Sequence, residues 1–177
     1  DSRHLAYAVQ IGDAWHVVRD GELGKGYEGV AGLAFSPDSR HLAYKAKRAD
    51  GAVLVVDGEE RGDVYDSLGG REYPIVFSPD SRRIAHFAKK DGKQFVVIDG
   101  DKAAPYTLIG EKSLVFSPDS RRFAYRAMAG REVVIVIDGK EQERFTDLVI
   151  SEPVFSPDSR RFAYIAGRED KEYLVLD

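Results

Sequence analysis

The apolar residues of this chain gather into short β-branched runs that do not alternate with polar ones. Residues 53–56 read Val-Leu-Val-Val, 95–98 Phe-Val-Val-Ile and 134–137 Val-Ile-Val-Ile. Runs of this length, bounded by turns, predict strands buried on both faces. Each is preceded by a second predicted strand, at residues 40–46, 82–88 and 121–127, with a further copy at 160–166. The links between the two carry hairpin signals: Asp50-Gly51, Asp91-Gly92 and Gly12-Asp13. Asp-Gly pairs at 20–21, 57–58, 99–100 and 138–139 then turn the chain into a third strand. That strand carries an aromatic at a nearly constant offset: Tyr27, Tyr65, Tyr106 and Phe145. A fourth is predicted at residues 32–35, 74–77, 113–116 and 153–155. No segment shows helical periodicity or credible caps.

The same order of strands recurs because the sequence itself repeats. Phe-Ser-Pro-Asp-Ser-Arg starts at Phe35, Phe77, Phe116 and Phe155, and a truncated copy, Asp1-Ser2-Arg3, opens the chain. Proline presets the first turn dihedral, and the aspartate can bond its own backbone two residues on. The motif aspartates Asp1, Asp38, Asp80, Asp119 and Asp158 are 37, 42, 39 and 39 residues apart. A second aspartate follows each by 19 residues: Asp20, Asp57, Asp99, Asp138 and Asp177. All length variation therefore falls in the other half of the unit. A rigid half and a variable half predict a scaffold with adjustable loops.

Four short antiparallel strands in about 39 residues is the signature of a propeller blade. The expected fold is an all-β propeller of about five four-stranded blades, the first and last incomplete. It forms a single domain over residues 1–177, with units at about 1–31, 32–73, 74–112, 113–151 and 152–177. One further variable half of about 17–22 residues would close five units into a ring, and the same ends also fit five units of a larger ring. The chain opens inside a repeat, so upstream sequence is expected. Open strand edges are a liability that a further segment or a second copy would cover.

Phe-Ser-Pro-Asp-Ser-Arg-Arg-Phe-Ala-Tyr resembles the blade repeat of TolB-like, WD40-like bacterial β-propellers, over essentially the whole chain. Related repeats occur in the propeller domains of prolyl-oligopeptidase-type peptidases. The resemblance implies a non-enzymatic scaffold that binds a protein or peptide, in the periplasm or cell envelope. It also leaves open an accessory propeller of a hydrolase, or an excised or engineered fragment whose main property is self-assembly. A TolB-like N-terminal domain is absent from this sequence.

Composition narrows the partners. Apolar content of 43% and charged content of 32% are those of a folded protein. A net charge of −4 argues against a nucleic-acid surface. No apolar run approaches the roughly 18 residues of a membrane span. The absence of cysteine excludes disulfides and thiolate metal sites.

Little in the sequence calls for catalysis. Ser36 and Asp38 recur in every unit without a repeated histidine base, so they read as turn residues. His4 and His41 take the slot of Arg83, Arg122 and Arg161 and read as exposed strand residues. His86 replaces the tyrosines Tyr7, Tyr44, Tyr125 and Tyr164 and reads as half-buried and hydrogen-bonded. No histidine pair has metal-ligand spacing, and no cofactor motif appears. Arg3, Arg40, Arg82, Arg121 and Arg160 follow the motif aspartates by two residues and are expected to bond aspartates locally or across blades, with an anion-binding ring of arginines as the alternative.

Function is expected on the rim formed by the hairpins and the variable connections, where residues differ between units. Its candidate partner-binding residues are Lys45, Arg48, Arg71, Glu72, Tyr73, Lys89, Lys90, Glu111, Lys112, Arg131 and Glu152. The hairpins add Lys47, Lys93, Arg126 and Arg168, and the last connection adds Ser151. Positive charge on one rim of an acidic protein points to an acidic peptide, glycan or protein. Lys89 and Lys90 are expected to be solvated rim residues.

Overall fold

The computed structural model describes residues 4–70, 72–168 and 171–177, with the backbone alone for 147–150 and 168. The described strands form five antiparallel sheets. Blade 1 holds Ala6–Ile11, Ala14–Arg19 and Glu22–Leu23. Blade 2 is complete: Gly29–Phe35, Leu42–Arg48, Gly51–Val56 and Glu59–Tyr65. Blade 3 runs Val76–Phe77, Ile84–Lys90, Lys93–Ile98 and Asp101–Lys102. In blade 4 two short inner pieces, Leu108–Ile109 and Val115–Phe116, pair with Phe123–Ala129, followed by Glu132–Ile137 and Lys140–Phe145. Blade 5 repeats that pattern with Asp147–Ile150, Val154–Phe155, Phe162–Arg168 and Lys171–Leu176. These are the four-stranded blades that the repeat predicts, incomplete at both ends.

The second strand starts two residues later than the apolar pattern suggests, at Leu42 instead of Arg40. The motif turn takes up the difference. Ser36 Oγ donates to Asp38 Oδ1 at 2.6 Å and accepts from His41 N at 2.9 Å, while Arg40 N donates to the same Asp38 oxygen at 3.1 Å. These backbone groups are spent on the turn and are not free for the ladder.

The expected Arg–Asp pairing inside the motif is present but loose. Arg40 Nε lies 3.9 Å from Asp38, and its side chain is 82% exposed. The guanidinium that holds the blade is the next one along. Arg83 donates to Asp99 at 2.8 Å and Arg122 to Asp138 at 2.9 Å, with His4–Asp20 and His41–Asp57 at 2.7 Å in the same slot. The second aspartate also accepts the first amide of the second strand, as in Leu42 N to Asp57 Oδ1 at 3.0 Å. It therefore does more than turn the chain: it ties the end of Gly51–Val56 to the start of Leu42–Arg48.

Two inter-blade contacts recur. The second motif serine reaches back to the preceding blade, accepting Asp38 N on Ser81 Oγ at 3.0 Å, Asp80 N on Ser120 and Asp119 N on Ser159, both at 2.9 Å. The outer-strand aromatic meets the second-strand tyrosine slot of the next blade edge-on. The pairs are Tyr27–Tyr44, Tyr65–His86, Tyr106–Tyr125 and Phe145–Tyr164, at 6.1–6.2 Å and 74–77°. Such pairs add about 0.5–1.5 kcal/mol each beyond the area they bury.

The core lies between blades. One face of blade 3, with Phe87 and Val96, packs on Tyr125 and Val134 of blade 4, and the other face of blade 4, with Ile135, packs on Tyr164 of blade 5. This explains the two-faced apolar runs. Among the described residues, nothing covers the outward faces of the first and last blades in this way. Leu5 and Tyr7 of blade 1 are exposed, as are Ile165, Leu174 and Leu176 of blade 5. Leu174 is 65% exposed, whereas Ile135, at the same register position one blade earlier, is 0%.

Candidate functional site

The motif turns and Asp-Gly turns close each blade at one rim, so the hairpins and variable connections share the other. On this loop rim the sequence places small residues beside long charged ones. Gly29, Ala31, Ala49, Gly51, Ala52 and Gly69 leave volume that larger side chains would fill. The result is two troughs on either side of the Lys47–Gly51 hairpin of blade 2. One, of about 660 Å³, lies between Ile11–Ala14, Lys25–Glu28 and Lys47–Ala49. The other, of about 580 Å³, lies between Glu28–Ala31, the same hairpin and the connection at Asp66–Gly69.

The ridge between the troughs is rigid. The Arg48 guanidinium bonds Asp50 through two nitrogens, at 2.8 and 2.7 Å, and reaches Glu60 at 2.6 Å. Glu60 also accepts from Lys25 at 2.5 Å. Lys25 first and Arg48 after it hold the Glu60 carboxyl below its usual range. The connection of blade 1 is thereby pinned to blade 2.

Lys45, expected as a partner-binding residue of the rim, is a correction: it is 5% exposed. Second-strand residues alternate between faces, and position 45 points into the interface with blade 3. Its ammonium donates to the carbonyls of Gly70 at 3.0 Å, Gly69 at 3.4 Å and Tyr73. Burial pushes its pKa down to about 8. Lys45 thus fastens the connection between blades 2 and 3 from below. Gly69 completes that turn at φ 71°, and a Cβ there would sit 2.7 Å from the Tyr73 ring.

The other candidates fall into two groups. Some fasten loops. Tyr73 stacks on Phe87 at 4.1 Å and donates to Ile109 O at 3.4 Å. Glu72 and Lys112 pair at 2.8 Å, tying two neighbouring connections together. Lys90 Nζ donates to Val64 O at 3.2 Å, so it is half-buried and bonded, not freely solvated as expected. Glu152 sits 3.5 Å from Arg126, and burial raises its pKa. Lys89, Glu111 and Arg131 are exposed. Arg71 lies outside the described residues, as does the side chain of Arg168.

The structure therefore brings Lys45, Glu72, Tyr73 and Lys112 together around two connections and leaves Lys89 and Arg131 at separate hairpin tips. Sequence reasoning missed the troughs. The signal was the cluster of small residues at loop ends, which charge counting passes over.

No family model matches the chain, and no curated protein matches it. Solved structures do. TolB from Acinetobacter baumannii superposes with a TM-score of 0.52 at 13% identity, over 98% of this chain and 50% of that one. The β-propeller domain of the trilobed protease from Pyrococcus furiosus, described as having an open velcro topology, gives 0.51 at 16% identity. That match covers 84% of this chain and 54% of the other. The chain spans about half the length of these structures. At such identities the likeness carries the fold: this is an all-β propeller array.

Proposed function

We propose that the chain is a non-enzymatic, TolB-like propeller scaffold that takes up a protein or peptide segment along its loop rim. The observation that carries this reading is the pair of troughs flanking the blade 2 hairpin, of about 580 and 660 Å³. Small residues alternate with charged ones along their walls, and they flank a ridge held by ion pairs, which limits the ordering cost of binding. Lys47, Lys89, Lys93 and Arg131 are exposed along the same rim and favour a segment with acidic residues.

Peptide display against the folded protein tests this. Ala49, exposed and shared by both troughs, is changed to tryptophan to obstruct them. Enriched peptides should carry acidic and apolar residues and lose about tenfold or more in affinity for A49W. Failure to enrich any peptide, or equal affinity for A49W, refutes the reading.

A second reading has its own support in the uncovered blade faces. Leu174 and Leu176 of blade 5 and Leu5 and Tyr7 of blade 1 occupy positions that pack against a neighbouring blade elsewhere in the array. We infer that a second copy can stack on these faces. Light scattering should then give a mass above the 19.7 kDa of one chain, reverting on Leu174→Glu. A monomer at every concentration rejects it.

A further inference from the structure

On the rim opposite the troughs, a cleft of about 330 Å³ opens between blades 2 and 3. Leu54 and Val56 form one wall, Ile84 and Val97 the other, and His86 also lines it. Its lining is set by single positions in the repeat. Tyr44, Tyr125 and Tyr164 occupy the slot of His86 in other blades, and Tyr44 lines the equivalent cleft between blades 1 and 2, of about 390 Å³. At the preceding interface the position of Val56 is Arg19, which crosses to Asp57 at 2.9 Å and makes that mouth polar. At the following interface the position of Arg61 is Ala103.

Arg61 supplies the charge. It stands opposite Leu54 in the sheet register, so both side chains project from one face toward blade 3. A register shift beside it accompanies Gly62, whose φ is 74°. Arg61 has no hydrogen-bond or ion-pair partner among the described residues. The carboxylates at the mouth are already engaged: Asp57 by Arg19 and His41, and Asp99 by Arg83. His86 donates through Nδ1 to Phe87 O at 3.0 Å, with the tautomer set by that carbonyl, and is neutral at physiological pH. The cleft therefore offers a guanidinium with unmet donors beside apolar walls, and the two carboxylates at its mouth are already paired.

We propose that this cleft binds an amphipathic monocarboxylate, with its carboxylate on Arg61 and its hydrocarbon chain between Leu54, Val56, Ile84 and Val97. The guanidinium fork matches a carboxylate in two parallel hydrogen bonds. The volume falls at the lower end of small-ligand sites, about 300–1,000 Å³. This site is separate from the loop rim and does not depend on what binds there.

Titration calorimetry with octanoate tests the proposal, with 1-octanol as the uncharged chain and acetate as the chainless anion. Octanoate should bind about tenfold or more tightly than either, the discrimination expected of one charge-assisted pair added to apolar burial. Arg61→Gln, at an exposed position, should weaken octanoate by about tenfold and leave octanol unchanged. Three results overturn the proposal: no heat at millimolar octanoate, octanol binding as tightly as octanoate, or unchanged octanoate affinity in Arg61→Gln.

Discussion

Replacing His86 with tyrosine should flatten the response of this protein to acid. The imidazole is 3% exposed. Burial first, with the Lys45 charge adding to it, lowers its pKa from 6.5 to about 4, against the opposing pull of the Phe87 carbonyl. The folded pKa is depressed, so the unfolded chain takes the proton first as pH falls. The folded state is then favoured fully above about pH 6.5, and this contribution is lost progressively down to about pH 4. At 1.36 kcal/mol per pKa unit, the loss approaches about 3 kcal/mol. Carboxylates such as Asp38, Asp57 and Glu60, held low by their partners, also lose stabilisation in acid. They are common to both proteins, so the difference between variant and parent isolates His86. Urea unfolding is measured for both from about pH 7.5 to about 4.5. The stability difference in favour of H86Y should widen by about 2–3 kcal/mol over that range. A difference constant to within about 0.5 kcal/mol would refute the buried neutral histidine.

Other outcomes follow from the same contacts. Ile135→Ala, at a fully buried position between blades 4 and 5, should cost about 2–5 kcal/mol in chemical unfolding. Leu174→Ala, at the same register position on the uncovered face, should change stability by no more than about 0.5 kcal/mol in dilute solution; a core-sized loss would show that the face is covered. Ser120→Ala removes the acceptor for Asp80 N and should cost about 1–3 kcal/mol, with faster amide exchange at Asp80. Lys45→Met leaves the carbonyls of Gly69, Gly70 and Tyr73 without their ammonium. Hydrogen exchange should then rise across residues 67–73 while blades 4 and 5 stay protected; unchanged exchange there would remove Lys45 from its fastening role.

The period near 39 residues, the Asp-Gly and Ser-Pro-Asp-Ser turns and the unalternating apolar runs were enough to specify four antiparallel strands per unit and two buried faces per blade. Those features depend on turn chemistry and local hydrophobic pattern, which a chain states about itself. Strand starts slipped by two residues because Asp38 draws Arg40 N into its turn, a competition that pattern alone does not weigh. Which arginine pairs with which aspartate was also out of reach. Arg40 and Arg83 are equally basic, and only the second lies across the sheet from a carboxylate.

Position 45 marks the boundary between the two kinds of information. Its lysine reads as a solvated hairpin residue, yet the carbonyls that receive it lie 24 to 28 residues further along the chain. The serine links between blades span 40 to 43 residues, and the aromatic pairs are formed across interfaces in the same way. Troughs and clefts are the volume left between such neighbours. The sequence by itself determined the blade, because a blade is built from local turns and a short period. The stacking of blades decided which charges are buried, which are paired and which remain for a ligand, because those properties belong to side chains brought together from different repeats.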